Sequence, residues 1–174
     1  FSECTSLTSV IVGNSVTDVS DVFNFDQGIN TNLTYFTFGN SVTNIPNNFF
    51  RECTALKSVT IPNSVTEIGN NAFLDCISLT SVTIPNSVTR IEDGAFGGCT
   101  GLTSVTIPES VNYIGGDAFG QCSLLKRVYF MGHRPSFGGS FNGSANETIF
   151  YKLPNKDFGG AIDGFPVQSL TSEG

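Results

Sequence analysis

The chain has 174 residues, which suits one domain, and its hydrophobic content of 39% argues against a disordered segment. A formal net charge of −7 disfavours a nucleic-acid-binding protein, which needs a basic surface for phosphates, and also disfavours docking on an anionic membrane. The apolar runs are only a few residues long, so none is long enough to span a bilayer.

The first four residues, FSEC, match the end of a motif that returns as FREC, FLDC, FGGC and FGQC. The chain therefore starts in the tail of a repeat, and we expect it to be a fragment of a longer protein. The unit that repeats opens on a leucine, with spacings of 26, 23, 23, 23 and 23 residues. These leucines are Leu7, Leu33, Leu56, Leu79, Leu102 and Leu125.

Each unit begins with a predicted strand. Apolar residues stand three and five positions after the leucine, for example Val82 and Ile84, with small polar residues between them. This alternation is typical of a strand that turns every second side chain inward. A Pro or Gly ends the strand, because Pro cannot donate to a ladder.

The second half of each unit carries another apolar pair and then Gly-x-x-Ala-Phe-x-x-Cys, as in Gly69–Cys76. That stretch is too short for a stable helix and predicts one helical or 3₁₀ turn. A single unit cannot bury its inward residues, whereas stacked units cover one another. We therefore predict a solenoid of about six coils over 1–132, the first truncated and the second irregular.

The repeated unit L-x-x-V-x-I-P-x-S-V-x-x-I-x-x-x-A-F-x-x-C resembles the BspA-type leucine-rich repeat, also called the Treponema pallidum type. The match is close over 50–130 and looser over 1–49. The resemblance implies a right-handed leucine-rich-repeat solenoid with ~23-residue coils and a parallel sheet on one face. It also implies an extracellular or cell-surface protein used in adhesion.

Two segments depart from the pattern. Residues 21–30 (DVFNFDQGIN) carry an insertion and place Asn30 where a cysteine is expected, which predicts a bulged loop. Residues 133–174 lack the repeat and are predicted to form a C-terminal cap and tail, with the strand-like run TIFYKLP (148–154) covering the last coil. Ile149, Tyr151 and Leu153, or their alternates, would pack inward. A ligand loop built from His133, Arg134 and the nearby glycines is the alternative for this segment.

Four of the five cysteines share the 23-residue spacing, which places Cys53, Cys76, Cys99 and Cys122 in one inward column. A ladder of buried free thiols is favoured over disulfides, because stacked side chains point the same way. The sequence has no closely spaced cysteine pair, such as C-x-x-C, of the kind that binds zinc.

Catalytic motifs are lacking. His133 is the only histidine, G-x-S-x-G does not occur, and GGSFNGS (138–144) has no lysine for a phosphate loop. The sequence therefore predicts a protein that is not an enzyme and that has no cofactor or metal site. An enzyme would need His133 in a cleft with a carboxylate or hydroxyl partner.

The outward positions of the strands are the candidate binding surface. Small Ser and Thr residues fill its middle, while aromatic and basic residues lie at its two ends. Solvated strand positions also favour Ser and Thr for purely structural reasons. The predicted ligand-binding residues are Tyr35, Thr37, Lys57, Thr60, Thr83, Thr106, Lys126, Arg127 and Tyr129.

These features predict a non-catalytic binding or adhesion module that presents this face to a host or matrix protein or a glycan. The predicted partners include no nucleic acid and no membrane insertion by this segment. Two alternatives remain open: a structural spacer within a larger surface protein, and an ice-binding solenoid with a lattice of hydroxyl groups.

Overall fold

A computed structural model describes residues 6–20, 31–144, 148–152, 161–162 and 165–170. The described residues form a solenoid with a front sheet and a back sheet that enclose one apolar core. Cys4, Asn30, Leu153 and the predicted loop at 21–30 lie outside the described residues.

The front sheet contains the first strand of each coil, and its side chains alternate between core and solvent. Its strands are β1 (Ser9–Ile11), β2 (Tyr35–Thr37), β4 (Ser58–Thr60), β7 (Ser104–Ile107), β9 (Arg127–Phe130) and β11 (Thr148–Lys152). Neighbouring strands pair in parallel, and equivalent positions face each other: Phe36 pairs with Val59, and Val105 pairs with Val128.

The back sheet is made from the second apolar pair of each coil. Its two-residue strands are β3 (Asn44–Ile45), β5 (Glu67–Ile68), β6 (Arg90–Ile91), β8 (Tyr113–Ile114) and β10 (Ser136–Phe137). They pair in parallel in the order β3-β5-β6-β8-β10, so that equivalent isoleucines of successive coils align. The 23-residue repeat therefore sets the register of this whole sheet.

Identical residues form columns inside the solenoid. Phe50, Phe73, Phe96, Phe119 and Phe141 stack with ring centroids 5.0, 4.9, 5.2 and 5.4 Å apart. All five are buried, as are the leucines that open the coils from Leu33 to Leu125. The columns confirm the predicted inward ladders, which bury apolar surface between coils.

The four described cysteines are free and buried, as predicted. The thiols of Cys76, Cys99 and Cys122 each donate to the carbonyl of the phenylalanine 26 residues earlier, at 3.1–3.2 Å. In the last coil Ser144 takes the cysteine position and donates to the Phe119 carbonyl.

The segments that connect the back sheet to the next coil form a third face, which we call the turn edge (48–52, 71–75, 94–98 and 117–121). The prediction of a helical or 3₁₀ turn is wrong here, because the described residues contain only turns at these positions. Two residues per segment adopt positive φ, for example Asn71 at 53° and Asp75 at 59°, and they interrupt any helical run.

Alternate peptide groups of the turn edge bond in different ways. The N–H groups of Ala72, Leu74 and Cys76 bond to carbonyls three residues back within the coil. The N–H groups that alternate with these, such as those of Asn71, Phe73 and Asp75, donate to carbonyls of the next coil. The N···O distances of these bonds are 2.7–3.1 Å throughout the edge. Every inter-coil bond of this set runs from an earlier coil to a later one.

The front sheet is interrupted at one coil. Residues 79–85 form no strand, so β1, β2 and β4 are separated from the part of the sheet that starts at β7. Val82 consequently is only partly buried, whereas Val59 and Val105 are 7% and 2% exposed. The predicted inward column is thus buried at Phe36 and Val59 and again at Val105 and Val128, and it is looser at Val82 and at Val10.

Strands beyond residue 132 continue both sheets. β10 joins the back sheet, and β11 pairs with β9 in parallel, which places Ile149 in the core. Two further strands, β12 (Ala161–Ile162) and β13 (Phe165–Leu170), extend the front sheet beyond β11. These strands cover the edge of β9, as a cap must, while the division of the chain at residue 132 stays a prediction.

Candidate binding surface

The outward side chains of the front sheet form two parallel columns. The first column contains Ser9, Tyr35 and Ser58 in one part of the sheet, and Ser104 and Arg127 in the other. The second contains Ile11, Thr37 and Thr60, and then Thr106, Tyr129, Phe150 and Gln168. Neighbours within a column are about 4.8 Å apart, the spacing of paired strands.

The N-terminal end of this face is apolar. Tyr35 is 55% exposed, and Ile11, in the neighbouring column, is 83% exposed. Thr37 is only half-buried, on the same strand as Tyr35. Sequence reasoning identified Tyr35 but gave no role to Ile11.

The middle of the face carries short hydroxyl side chains. Thr60, Thr83 and Thr106 are all exposed, although Thr83 lies in the interrupted coil and pairs with no strand. Lys57 is exposed just before β4. The structure therefore places these predicted residues on one side of the solenoid, as the alternation of the strands requires.

The C-terminal end of the face brings together a basic and two aromatic side chains, which we call the anchor patch (Arg127, Tyr129 and Phe150). The rings of Tyr129 and Phe150 stack with centroids 5.2 Å apart and planes 16° from parallel. Arg127 is exposed two residues before Tyr129 on the same strand. Lys126 is exposed beside it.

Phe150 is the residue of this patch that sequence reasoning missed. It lies beyond the last recognisable repeat, so no column alignment pointed to it. The alternation within TIFYKLP was the available signal: Ile149 is buried and Tyr151 packs against the core, which turns Phe150 outward with Tyr129.

A separate concavity lies on the turn edge. Gly94, Gly97 and Gly98 leave one segment without side chains, and the resulting groove has a volume of about 430 Å³. Its rim includes the carboxylates of Asp75 and Asp117. None of the anchor-patch residues lines this groove, and its three aspartates, Asp75, Asp93 and Asp117, make it acidic.

Burial lowers the reactivity of the cysteine thiols. Desolvation raises the pKa of Cys53 and Cys122 to about 12 and raises the pKa of Cys76 and Cys99 well above its usual value. These thiols are therefore protonated at neutral pH and are poor nucleophiles or metal ligands.

Comparison with known proteins identifies the family. A family model described as the BspA type leucine-rich repeat region matches residues 23–146 in six copies. The chain belongs to the BspA-type leucine-rich repeat family. No curated protein matches the sequence significantly.

Two solved structures share the fold of this BspA-type chain. The leucine-rich repeat protein TpLRR of T. pallidum is 24% identical, with a TM-score of 0.59, and the match covers 84% of this chain and 67% of that protein. The pneumococcal vaccine antigen PcpA is 21% identical, with a TM-score of 0.66, and the match covers 83% of this chain but only 38% of that protein.

Metal-binding residues, His133 and membrane-spanning helices are the other features that bear on the function of this BspA-type solenoid. Within the described ranges, no three His, Cys, Asp or Glu side chains come together in a way that could hold a metal ion. His133 is exposed, at the start of the segment for which a ligand loop was the alternative. Nor do the described residues include a helix of sufficient length and apolarity to cross a membrane.

Proposed function

We propose that the chain is a non-catalytic binding module that presents its front sheet face to a protein or glycan, within a bacterial surface protein. The observation that carries this proposal is the arrangement of the front face. Large amphipathic side chains lie at both ends of a surface of hydroxyl groups. The inward residues of the strands are accounted for by packing in the core, whereas packing does not require these outward ones. Such exposed Tyr and Arg side chains are typical anchors of binding interfaces.

The predicted residues take different parts in this proposal. Tyr35, Arg127 and Tyr129 would anchor the partner, and Lys57 and Lys126 would contribute charge at the border. Thr37, Thr60, Thr83 and Thr106 would provide hydroxyl groups, which both donate and accept hydrogen bonds. The family match and the fold shared with a pneumococcal vaccine antigen support the cell-surface location.

A screen against arrays of glycans and of extracellular-matrix proteins tests the proposal. For any partner found, we expect Thr60→Tyr to weaken binding, because the larger side chain stands up in the middle of the front face. Asn44→Tyr is the matched control, since Asn44 is exposed on the back sheet. If Asn44→Tyr abolishes binding and Thr60→Tyr does not, the interface lies on the back sheet and the proposal is wrong. A chain that binds no probe would contradict the proposal and favour the alternatives, a structural spacer or an ice-binding solenoid.

A further inference from the structure

Two basic residues stand side by side at the start of β9, in a chain whose formal net charge is −7. Lys126 and Arg127 are both exposed, and Arg127 belongs to the anchor patch. Such an arrangement attracts and orients an anionic partner.

The aromatic pair leaves one ring face open toward the middle of the sheet. Side chains of a strand stand roughly perpendicular to the sheet, so the nearly parallel rings of Tyr129 and Phe150 face along the solenoid axis. Phe150 covers one face of the Tyr129 ring. Thr106 is the paired neighbour on the other side, and its short side chain cannot cover the second face.

The space over Thr106 thus has a wall, a floor and a charged side. Tyr129 forms the wall, and the exposed hydroxyl groups of Ser104 and Thr106 form the floor. Arg127 pairs with Ser104 on the neighbouring strand and lies about 7 Å along β9 from Tyr129. None of the ion pairs found among the described residues involves Arg127, so no carboxylate there neutralises it.

We propose that this space binds an anionic sugar residue of a glycan, a specification that rests on the proposed function. The slightly positive C–H groups on one side of a sugar ring pack against the negative face of an aromatic ring, which Tyr129 provides. The sugar hydroxyls bond to Ser104 and Thr106, and the carboxylate or sulfate group bonds to the planar guanidinium of Arg127.

An acidic peptide fits this surface less well. Extended peptides gain affinity by adding a strand to a sheet edge, whereas the anchor patch lies on the face of the sheet between paired strands. A floor of hydroxyl groups suits a ligand that is itself rich in hydroxyls, since each such group donates and accepts.

Titration calorimetry with defined oligosaccharides tests the proposal on the full chain. The probes are a heparin oligosaccharide, which carries sulfates, a hyaluronan oligosaccharide, which carries only carboxylates, and a neutral chitin oligosaccharide of equal length. We expect at least one anionic probe to bind, with affinity that falls as salt increases, and the neutral probe to bind much more weakly. Binding of heparin alone would assign the anion as sulfate, and binding of both as either group.

Variants locate the site. Arg127→Gln and Tyr129→Ala should each weaken binding by about tenfold or more, and Tyr129→Phe should retain most of it. Arg51→Gln is the charge-matched control, because Arg51 is exposed on the turn edge and far along the chain from the patch. Arg51 and Arg127 are exposed, so the melting temperatures of their variants should stay close to that of the parent chain. Tyr129 is half-buried against Phe150, so Tyr129→Phe, which keeps the ring, is the variant that separates loss of binding from loss of packing.

Three results would overturn the inference: equal affinity for the neutral probe, equal weakening by Arg51→Gln and Arg127→Gln, or no binding of any oligosaccharide. If a protein partner is found that Thr60→Tyr disrupts, while no oligosaccharide binds, the proposed function stands and the glycan assignment fails. If binding ignores every change on the front face, both fail.

Discussion

At the scale of the residue, the cysteine column shows how a small polar group is accommodated in this core. Each of Cys76, Cys99 and Cys122 donates its thiol to a phenylalanine carbonyl of the preceding coil. The same burial that stabilises this arrangement disfavours the thiolate, because a charge in the core loses its hydration.

The raised pKa of these thiols predicts alkaline destabilisation. Between pH 9, where an unfolded thiol ionises, and about pH 12, the unfolded chain binds fewer protons than the folded chain. The free energy of unfolding is therefore unaffected by these thiols below pH 9 and falls above it, by up to about 1.4 kcal/mol per pH unit for each thiol. Urea unfolding midpoints at pH 8 and pH 10.5 measure the effect.

The control for this prediction is Cys99→Ala, which removes one of the buried thiols. Its midpoint should be lower at pH 8 but should decline less steeply toward pH 10.5. All other titratable groups are common to both proteins and cancel in the comparison. Identical slopes would show that Cys99 is not held protonated.

Inward and outward positions of the regular coils could be predicted from the sequence because a strand alternates its side chains strictly. Val105 and Thr106, one buried and one exposed, are examples. Phe150 could not be aligned in this way, since its strand joins the sheet after the repeat has ended. A residue of the candidate site was therefore missed where the periodic signal stopped.

At the scale of the element, the turn edge depends on residues that tolerate positive φ. Asn71, Gly94 and Asp117 occupy one such position in successive coils, and Asp75, Gly98 and Gln121 occupy the other. Asn, Asp and Gly adopt this conformation most readily. Their recurrence was the sequence signal for this edge, but the shortness of the segment led to the prediction of a helical turn.

Gly98→Ala tests this interpretation of the turn edge. Gly98 has a φ of 65°, and a methyl group there would meet the carboxylate of Asp75 in the preceding coil. We expect a loss of about 1–2 kcal/mol in the free energy of unfolding. Gly13→Ala is the control, because no atom lies within 4 Å of the added methyl group, and its effect should be small. Comparable losses in the two variants would contradict the proposed strain.

The interruption of the front sheet could not be predicted from local sequence. Residues 79–85 and 102–108 both read LTSVTIP, yet only the second stretch contains a strand. Neither propensity nor alternation can distinguish two identical segments. The difference therefore arises outside these seven residues, from the rest of the unit or from the neighbouring coils.

At the scale of the whole molecule, each coil contacts only its neighbours, so stability should depend on position along the stack. Phe96 stacks on both sides, against Phe73 and Phe119. Phe141 is the last described ring of that column; it stacks on Phe119 and makes a tilted contact with Phe137, 6.3 Å away. Both rings are fully buried.

Phe96→Ala should therefore destabilise the whole chain, whereas Phe141→Ala should mainly destabilise the last coil. The central change should cost about 3–5 kcal/mol and lower the unfolding midpoint of the entire chain. The terminal change should mainly allow the last coil to open, with faster hydrogen exchange confined to residues near 136–144. Hydrogen exchange and urea unfolding of both variants separate these responses. Uniform loss of protection in Phe141→Ala would show that coils do not open separately.

The one-way hydrogen bonds of the turn edge give this face an electrical direction. Because the N–H groups of 71, 73 and 75, and their equivalents, all point toward later coils, these peptide dipoles of about 3.5 D each add along the axis. Parallel strands, whose peptide groups alternate in direction, have only a small net dipole. Other inter-coil bonds, beside the back sheet, run the opposite way, such as those from Thr66 to Thr43 and from Gly69 to Ile45. The turn edge is therefore the face on which aligned peptide groups produce a net dipole, with its positive pole toward the later coils.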